Sequence, residues 1–197
     1  MPIGILALQG AVEPHRAKLA ALGAAAVPVR TAEELGACAG LIMPGGESTT
    51  LLNLIGHYGL KSALVEFAHA KPLWGVCAGA ILAAKRVENP SQECFSLVPI
   101  TVRRNAYGRQ NESFIAEVAL TLPGQPALTQ EAVFIRAPRV VGWNGRVTVL
   151  AEHEGFPIAL QAGRHLITTF HPELAAQDHL HRFFLSLCQA QKSRETA

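Results

Sequence analysis

Short apolar segments alternate with amphipathic segments along the first 85 residues, and this alternation constrains the fold more than any other feature. The apolar segments are typical of buried strands and lie at residues 3–8, 27–30, 40–43 and 73–76. Helical patterns lie between them, at residues 13–22, 50–57 and 61–70, with a capping-box spacing at Thr31 and Glu34. The alternation predicts parallel strands with helices on both faces of one sheet.

The pattern changes after about residue 85. Strand-like segments with turn signals recur at residues 97–102, 114–120, 133–136, 147–153, 157–161 and 166–170, and a helical pattern follows at 175–189. Asn144-Gly145 is a candidate for a two-residue hairpin. Because no linker-like segment divides the chain, we expect these strands to form an antiparallel extension of the same sheet. The prediction is an α/β domain over residues 1–190 with an open, mixed, mainly parallel sheet, and a frayed polar tail at 191–197.

Composition excludes several classes of protein. The chain has 197 residues, of which 49% are hydrophobic and 16% charged, so it is not intrinsically disordered. A net charge of +2 gives no reason to expect nucleic acid as a partner. The N-terminal residues lack a secretion-signal pattern, and no apolar run approaches the roughly 20 residues of a membrane span. Four scattered cysteines without a CxxC pair indicate a reducing compartment, so we expect a cytoplasmic protein.

One cysteine lies in a context that suggests chemistry. Gly75-Val-Cys77-Ala-Gly79 stands between a predicted strand and a helical pattern, which is the thiol version of the nucleophile elbow. The helix start favours a thiolate, and the amide of Ala78 would face a developing oxyanion. The alternative is a buried structural cysteine between packing glycines. The other three cysteines lack this context and are expected to be inert: Cys38, Cys94 and Cys188.

A base with an orienting group follows the last predicted strand. In Phe170-His171-Pro172-Glu173, the proline disfavours a helical conformation at His171, and extended residues two apart project to the same side. Glu173 could then fix the imidazole tautomer, and the strand end would place His171 beside Cys77. Alternatively, the segment only caps the C-terminal helix. A metal site formed by Cys77, His171 and Glu173 is conceivable, but no ordered ligand spacing supports it.

Two further sequence features are less specific. His179 and His181 lie in a polar helical segment and are expected on a solvated face. The segment Pro44-Gly-Gly-Glu-Ser-Thr49 runs from a strand end into a helix, where backbone amides can approach an anion. It is not a P-loop, because the Gly-Lys-Ser/Thr ending is missing, and a plain strand–helix turn is the alternative.

Together and in this order, the segments at 44–49, 75–79 and 170–173 resemble class I glutamine amidotransferases, a flavodoxin-like family. The segments at 6–11, 104–110 and 134–138 are similar to the glutaminase subunits of pyridoxal 5′-phosphate synthases. The resemblance extends from residue 3 to about residue 188. Arg103, where the family often has an acidic residue, and the segment 93–99 depart from it.

The resemblance implies a role for each matching residue. Cys77 is the nucleophile, His171 the base and Glu173 its orienting group, while Gly46 and Ala78 supply the oxyanion-hole amides. The implied contacts to L-glutamine come from Gly46, Glu47, Ser48, Arg104, Ile135 and Arg136. The residues leave open which arginine touches glutamine directly. No cofactor and no metal are expected.

The resemblance also implies a partner. Glutamine hydrolysis would release ammonia, and the chain has no second site to use it. The implied partner is a (β/α)8-barrel synthase with a dodecameric core, which makes pyridoxal 5′-phosphate and activates the glutaminase on docking near the Gln9-Gly10 turn and the 44–49 loop. Three alternatives remain: a glutaminase serving another synthase such as that of histidine synthesis, a cysteine hydrolase of another amide, and an inactive docking module.

Overall fold

A central sheet of seven strands organises the chain in a computed structural model, which describes residues 1–104, 106 and 113–195. In spatial order its strands are β10 (Val147–His153), β11 (Phe156–Ala162), β12 (His165–Thr168), β4 (Leu73–Val76), β3 (Gly40–Met43), β1 (Ile3–Leu6) and β2 (Ala26–Val29). From β12 to β2 all neighbouring strands are parallel, whereas β11 is antiparallel to both of its neighbours. The predicted α/β class with a mixed, mainly parallel sheet is confirmed.

The remaining strands form two small sheets. One contains β5 (Ala84–Glu88), β6 (Val98–Arg103) and β9 (Arg139–Trp143), and the other contains β7 (Ser113–Leu120) and β8 (Leu128–Ile135). Only β10 and β11 extend the central sheet, so the prediction of one continuous extension is wrong for the other strands. Alternating apolar residues indicate that one face of each strand is buried, but they do not determine which strand is its partner.

The turn predicted at Asn144-Gly145 does not form a hairpin. It joins β9 to β10, which belong to different sheets. The hairpin between β10 and β11 turns at Glu154 and Gly155, whose φ values are 51° and 75°. Positive φ at both central residues is typical of a type I′ turn, and glutamate there gives a weaker sequence signal than asparagine.

Helices cover both faces of the central sheet. They are α1 (Val12–Ala21), α2 (Ala32–Gly36), α3 (Ser48–His57), α4 (Lys61–Ala70), α5 (Ala78–Ala83) and α6 (His179–Glu195). Leu41 and Met43 of β3 join a buried cluster with α2–α5 and the three-stranded sheet. Ile42 joins a second cluster with α1, α6 and the two-stranded sheet. The two-residue alternation of a strand therefore divides the core into two layers, as predicted.

Helix boundaries agree with the sequence patterns except at the C-terminus. The capping box between Thr31 and Glu34 forms at the start of α2. The last helix begins at His179 instead of residue 175, because Pro172–Leu174 form a 3-10 turn and the next carbonyls bind Lys18. It continues to Glu195, beyond the predicted start of a frayed tail. Within the described residues, no helix is long and apolar enough to cross a membrane.

Candidate active site

Cys77 occupies a strained turn between β4 and α5. Its backbone has φ 48° and ψ −99°, which is rare for a residue with a side chain. The Cys77 amide donates to the Thr168 carbonyl at 2.8 Å, and the Cys77 carbonyl accepts from the Ile81 amide at 3.1 Å. The neighbouring strand and the helix thus hold the residue on both sides. Strain of this kind persists only where the surroundings impose it, and it is concentrated at functional sites.

The two flanking glycines are required by close backbone approach. A Cβ added at Gly79 would lie 2.1 Å from the Met43 carbonyl oxygen, and one added at Gly75 would lie 2.8 Å from the Gly79 carbonyl carbon. Any larger residue would force α5 away from β3 or from β4. The glycines therefore allow the sharp turn that directs the Cys77 thiol into a pocket, which a purely structural cysteine does not need.

His171 and Glu173 meet through a turn rather than through an extended strand. The Nδ1 atom of His171 lies 2.8 Å from Oε1 of Glu173, and both side chains are buried. Strand β12 ends at Thr168, two residues earlier than predicted, and the His171 amide donates to the Val133 carbonyl of β8 at 2.8 Å. Pro172 begins the 3-10 turn that returns the Glu173 carboxylate to the imidazole.

The electrostatics of this pair favour a protonated imidazole. Burial disfavours the charged ring, but hydrogen bonds and charge interactions with Cys77 and Glu173 prevail and raise the pKa of His171 to about 10. Burial also disfavours the Glu173 anion, yet its hydrogen bond to His171 and the nearby His15 leave the pKa of Glu173 below its ordinary value. The arrangement is that of an imidazolium supported by a carboxylate beside the Cys77 sulfur.

The loop before α3 forms the opposite wall. The Glu47 carboxylate caps α3 by accepting from the Thr49 amide at 3.1 Å and the Thr50 amide at 2.7 Å. Its backbone carbonyl accepts from Nε2 of Gln9 at 2.5 Å, so the Gln9-Gly10 turn supports the loop. A Cβ at Gly45 would lie 2.3 Å from Cε1 of His171, which shows how closely the loop packs on the imidazole.

These elements enclose a pocket of about 150 Å³. Cys77 and His171 line it together with every residue for which a glutamine contact is predicted: Gly46, Glu47, Ser48, Arg104, Ile135 and Arg136. Ala78, the other predicted oxyanion donor, is buried at the first position of α5. The sequence interpretation missed Ile81 and Pro138, which also line the pocket. Ile81 lies four residues after Cys77, a helical spacing that places both on one face.

The two arginines of the pocket are held differently. Nη2 of Arg104 lies 3.3 Å from Oε1 of Glu47 and 3.2 Å from Oγ1 of Thr49, so its guanidinium braces the loop before α3. Arg136 follows β8 with φ 44° and is exposed. In the 104–110 segment that suggested the glutaminase subunits, residues 105 and 107–110 lie outside the described residues.

One histidine prediction is wrong. His181 is fully buried rather than solvated, and its Nε2 lies 3.0 Å from Nδ1 of the buried His15. The polar neighbours in sequence concealed this: Gln177 and Asp178 precede α6, and Arg182 next to His181 is exposed. His179 is partly buried.

The other three cysteines are buried or half-buried free thiols. Burial raises the pKa of Cys188 to about 12 and also raises those of Cys38 and Cys94, which agrees with their predicted inertness. Within the described part of the chain, no three His, Cys, Asp or Glu side chains form a group that could hold a metal ion.

Comparison with known proteins identifies the family. A model of the SNO glutamine amidotransferase family matches residues 5–190. The chain belongs to this family. The pyridoxal 5′-phosphate synthase subunit PdxT of Solibacter usitatus is 48% identical over 191 residues, covering 93% of this chain and 97% of that protein. PdxT of Koribacter versatilis is 46% identical over 195 residues, covering 99% and 100%. A crystal structure of a glutamine amidotransferase superposes with a TM-score of 0.88 at 38% identity, covering 96% and 100%.

The departures from the glutamine amidotransferase pattern lie beside the pocket. Arg103 ends β6, and its Nη2 is 3.7 Å from Oε2 of Glu88. The pairing of β6 with β9 shifts register between Thr101 and Val102, so the strand before Arg104 is irregular. In the segment 93–99, Glu93 pairs with Lys61 of α4. Just before it, Gln92 accepts from the Ser48 hydroxyl at 2.9 Å, which links this segment to the loop before α3.

Proposed function

We propose that this chain is a glutaminase that hydrolyses L-glutamine to L-glutamate and ammonia and delivers the ammonia to a pyridoxal 5′-phosphate synthase. The observation that carries the proposal is the strained Cys77 facing the His171–Glu173 pair in one pocket. The relatives at 48% and 46% identity, which are subunits of that synthase, supply the pathway. We propose that residues 1–190 carry this function as one domain.

In the first half of the reaction, the Cys77 thiolate attacks the side-chain amide carbon of glutamine. The amides of Gly46 and Ala78 stabilise the oxyanion that forms. The His171 imidazolium gives its proton to the amide nitrogen, the carbon–nitrogen bond breaks, and ammonia leaves. A glutamyl thioester on Cys77 and a neutral imidazole remain. The raised pKa of His171 suits this role, because the proton is already present when attack begins.

In the second half, neutral His171 takes a proton from water while the water oxygen attacks the thioester carbon. The sulfur–carbon bond breaks, glutamate leaves, and the thiolate and imidazolium are restored. Glu173 keeps Nδ1–H of His171 fixed at 2.8 Å throughout, so Nε2 serves Cys77 and water. Cys77 and His171, which exchange charge with the substrate, are both buried, and this limits the reorganisation that water would impose.

Substitution of the nucleophile tests the activity. With the synthase present, Cys77→Ala should abolish glutamate release, whereas Cys94→Ala should keep it within about twofold of the unchanged chain because Cys94 lies outside the pocket. Glutamine should protect Cys77 from a mild thiol reagent. Turnover by Cys77→Ala, or glutamine protection of Cys94 alone, would contradict the proposed nucleophile. An inactive docking module would show no glutamine-dependent protection at all.

The two arginines divide the recognition of glutamine. Arg104 already binds Glu47 and Thr49, so we assign it to shaping the loop, and we assign the bidentate contact with the substrate carboxylate to Arg136. Arg136→Lys should raise KM for glutamine more than tenfold with little change in kcat. Arg104→Lys should lower kcat, and it should raise KM for glutamine less than Arg136→Lys does. The reverse ranking would exchange the two assignments.

The synthase is proposed to be a (β/α)8 barrel with a dodecameric core that docks near Gln9-Gly10 and the loop before α3. The hydrogen bond from Gln9 to the Glu47 carbonyl supports this position, because a displacement of the Gln9-Gly10 turn on docking would move the loop that lines the pocket. The free chain should release almost no glutamate from glutamine, and glutamate release should begin after the synthase is added. Activation by a histidine-pathway synthase instead would favour the alternative glutaminase. Because the reaction needs a reduced thiol, we propose a cytoplasmic location.

A further inference from the structure

The Glu173 carboxylate has one oxygen that the proposed mechanism does not use. Oε1 binds His171, but Oε2 is buried and has no hydrogen-bond partner among the described residues. Nε2 of His15 lies 3.5 Å from this oxygen. That nitrogen is also buried and also lacks a hydrogen-bond partner among the described residues. Two orphaned polar atoms therefore face each other directly behind the catalytic pair.

His15 lies in a fully enclosed environment. Its ring comes from α1, has no exposed surface, and contacts the indole of Trp74 edge-on with centroids 5.6 Å apart. Its Nδ1 lies 3.0 Å from Nε2 of His181 on α6. The Trp74 N–H cannot serve Glu173, because it donates to Oγ1 of Thr168 at 3.1 Å. His15 is thus the side chain placed to donate to Oε2.

The charge state of His15 limits it to one N–H group. Burial lowers its pKa to about 4, with the Glu173 charge opposing and His171 reinforcing that effect. Burial likewise lowers the pKa of His181 to about 2, with His15 and Lys18 acting in the same direction and Asp178 against it. These are the charged and titratable groups that act on the two rings. Both imidazoles are therefore neutral at neutral pH, and each has one donor and one acceptor.

Only one pair of tautomers satisfies both contacts. If His15 carried its proton on Nδ1, its bare Nε2 would face the Glu173 anion at 3.5 Å, and two acceptors would meet in a dry interior. If His181 donates from Nε2 to Nδ1 of His15, the His15 proton lies on Nε2 and is directed at Oε2. The second arrangement gives each facing pair one donor, and buried polar groups strongly favour that condition.

We propose that His15 is a positioning residue of the glutaminase, whose Nε2–H fixes the Glu173 carboxylate so that Oε1 stays on His171. The proposal rests on the proposed glutaminase function only for its kinetic readout. Helix α1 is itself anchored to the chain that follows Glu173, because Nζ of Lys18 binds the Ala175 and Ala176 carbonyls at 2.5 and 3.0 Å. The same helix therefore fixes both the carboxylate and its backbone.

A pair of amide substitutions tests this role. The side chain of His15→Gln places an N–H near the position of Nε2, whereas the shorter His15→Asn places it near Nδ1, toward His181. With the synthase present, His15→Asn should lower kcat roughly tenfold with KM for glutamine within twofold, and His15→Gln should stay within about threefold of the unchanged chain. A merely structural role would make the two variants alike.

A second readout does not depend on glutaminase activity. The pH profile of Cys77 alkylation by iodoacetamide, followed on the Cys77 peptide in the free chain, reports formation of the thiolate–imidazolium pair. In His15→Asn, the buried carboxylate loses its donor and protonates more readily, so the acidic midpoint should move upward by about half a pH unit or more. The profile of His15→Gln should match that of the unchanged chain.

His165→Asn is the matched control, because this partly buried histidine begins β12, at the end of the strand remote from His171. It should leave both readouts unchanged. Equal effects of the two His15 variants, no effect of His15→Asn, or an equal shift in His165→Asn would overturn the proposal. If His15→Asn does not fold, as judged by thermal melting, His15→Leu replaces it with the same expectations. If the unchanged chain with the synthase releases no glutamate, but the alkylation midpoint still shifts in His15→Asn, the glutaminase proposal is refuted and the positioning role of His15 is not.

Discussion

His171 and His15 approach the same carboxylate from two sides, yet His171 is cationic and His15 is neutral. Burial disfavours the imidazolium in both. Contacts with the Cys77 sulfur and with Glu173 at 2.8 Å reverse this at His171 and raise its pKa to about 10. At His15 the contact is 3.5 Å and enclosure is complete, so the pKa falls to about 4. A buried histidine is charged only where anions are close enough to outweigh its desolvation.

The largest effect is expected from removing the charge that the two histidines share. Glu173→Gln keeps the shape but loses the anion, and its amide can present an N–H to His171 and favour the wrong tautomer. Turnover with the synthase should fall roughly 10⁴-fold, as for the comparable acid-to-amide substitution in serine-protease triads, with KM within about threefold. The pKa of His171, followed by NMR titration in the free chain, should also fall. If the pKa of His171 does not change in Glu173→Gln, the Glu173 anion is not what makes His171 differ from His15.

The position of the charged histidine can be disturbed from the opposite side of the pocket. In Gly45→Ala the new methyl group would lie 2.3 Å from Cε1 of His171, so the ring or the loop must move. We expect a loss of about 1–3 kcal/mol in the free energy of unfolding and at least a tenfold loss of turnover. Gly56→Ala in α3 is the control: its Cβ meets no described atom within 4 Å, and it should stabilise the chain by about 0.5–1 kcal/mol.

The neutral histidines should make the fold sensitive to acid. The folded-state pKa values of His15 and His181 lie below the ordinary value of 6.5, so the unfolded chain binds protons first as the pH falls. Their contribution to stability is complete above pH 6.5 and decreases below it, by about 2 kcal/mol for each ring at pH 5. Because His171, with a folded-state pKa of about 10, contributes in the opposite direction over this range, the loss is measured by comparing urea unfolding at pH 7 and pH 5 with that of a variant that lacks one neutral ring.

A variant isolates one ring in that measurement. His181→Gln should lose about 2 kcal/mol less than the unchanged chain between pH 7 and pH 5. His57→Gln, at an exposed position of α3, should behave as the unchanged chain does. Equal losses in His181→Gln and the unchanged chain would mean that His181 is not held neutral in the folded state.

The smallest effect concerns the helix that holds the neutral ring. Two cations lie on α1: Lys18 binds the carbonyls of residues 175–177, whereas Arg16 pairs with the exposed Glu13. Lys18→Met should reduce the free energy of unfolding by about 1–2 kcal/mol, and Arg16→Ala should change it by less than about 0.5 kcal/mol. Similar values from chemical unfolding would show that Lys18 does not anchor the segment after Glu173.

The two halves of the chain differ in how far their sequences predict structure. Strands β3 and β4 and helix α4 lie where the hydrophobic periodicity puts them, because parallel strands are buried on both faces and are separated by complete helices. No predicted strand corresponds to β5 or β9, and β6, β7 and β8 are predicted as strands but assigned to the wrong sheet. Their alternation identifies a buried face, but pairing between residues far apart in sequence decides which sheet each strand joins.

By itself, the sequence determined the elements whose causes are local. The glycines around Cys77 indicate a sharp turn, and Pro172 keeps His171 out of the helical conformation. The 3-10 turn that returns Glu173 to His171 replaces the extended segment that the sequence predicts. The short-range constraints act through backbone sterics, whereas the strain at Cys77 is maintained by contacts with β12 and α5. Only the tertiary structure decided that His15 and His181, which are 166 residues apart, meet behind Glu173. Their burial results from packing α1 and α6 on one face of the sheet. No local sequence pattern predicts that contact, because it depends on the packing of the whole core.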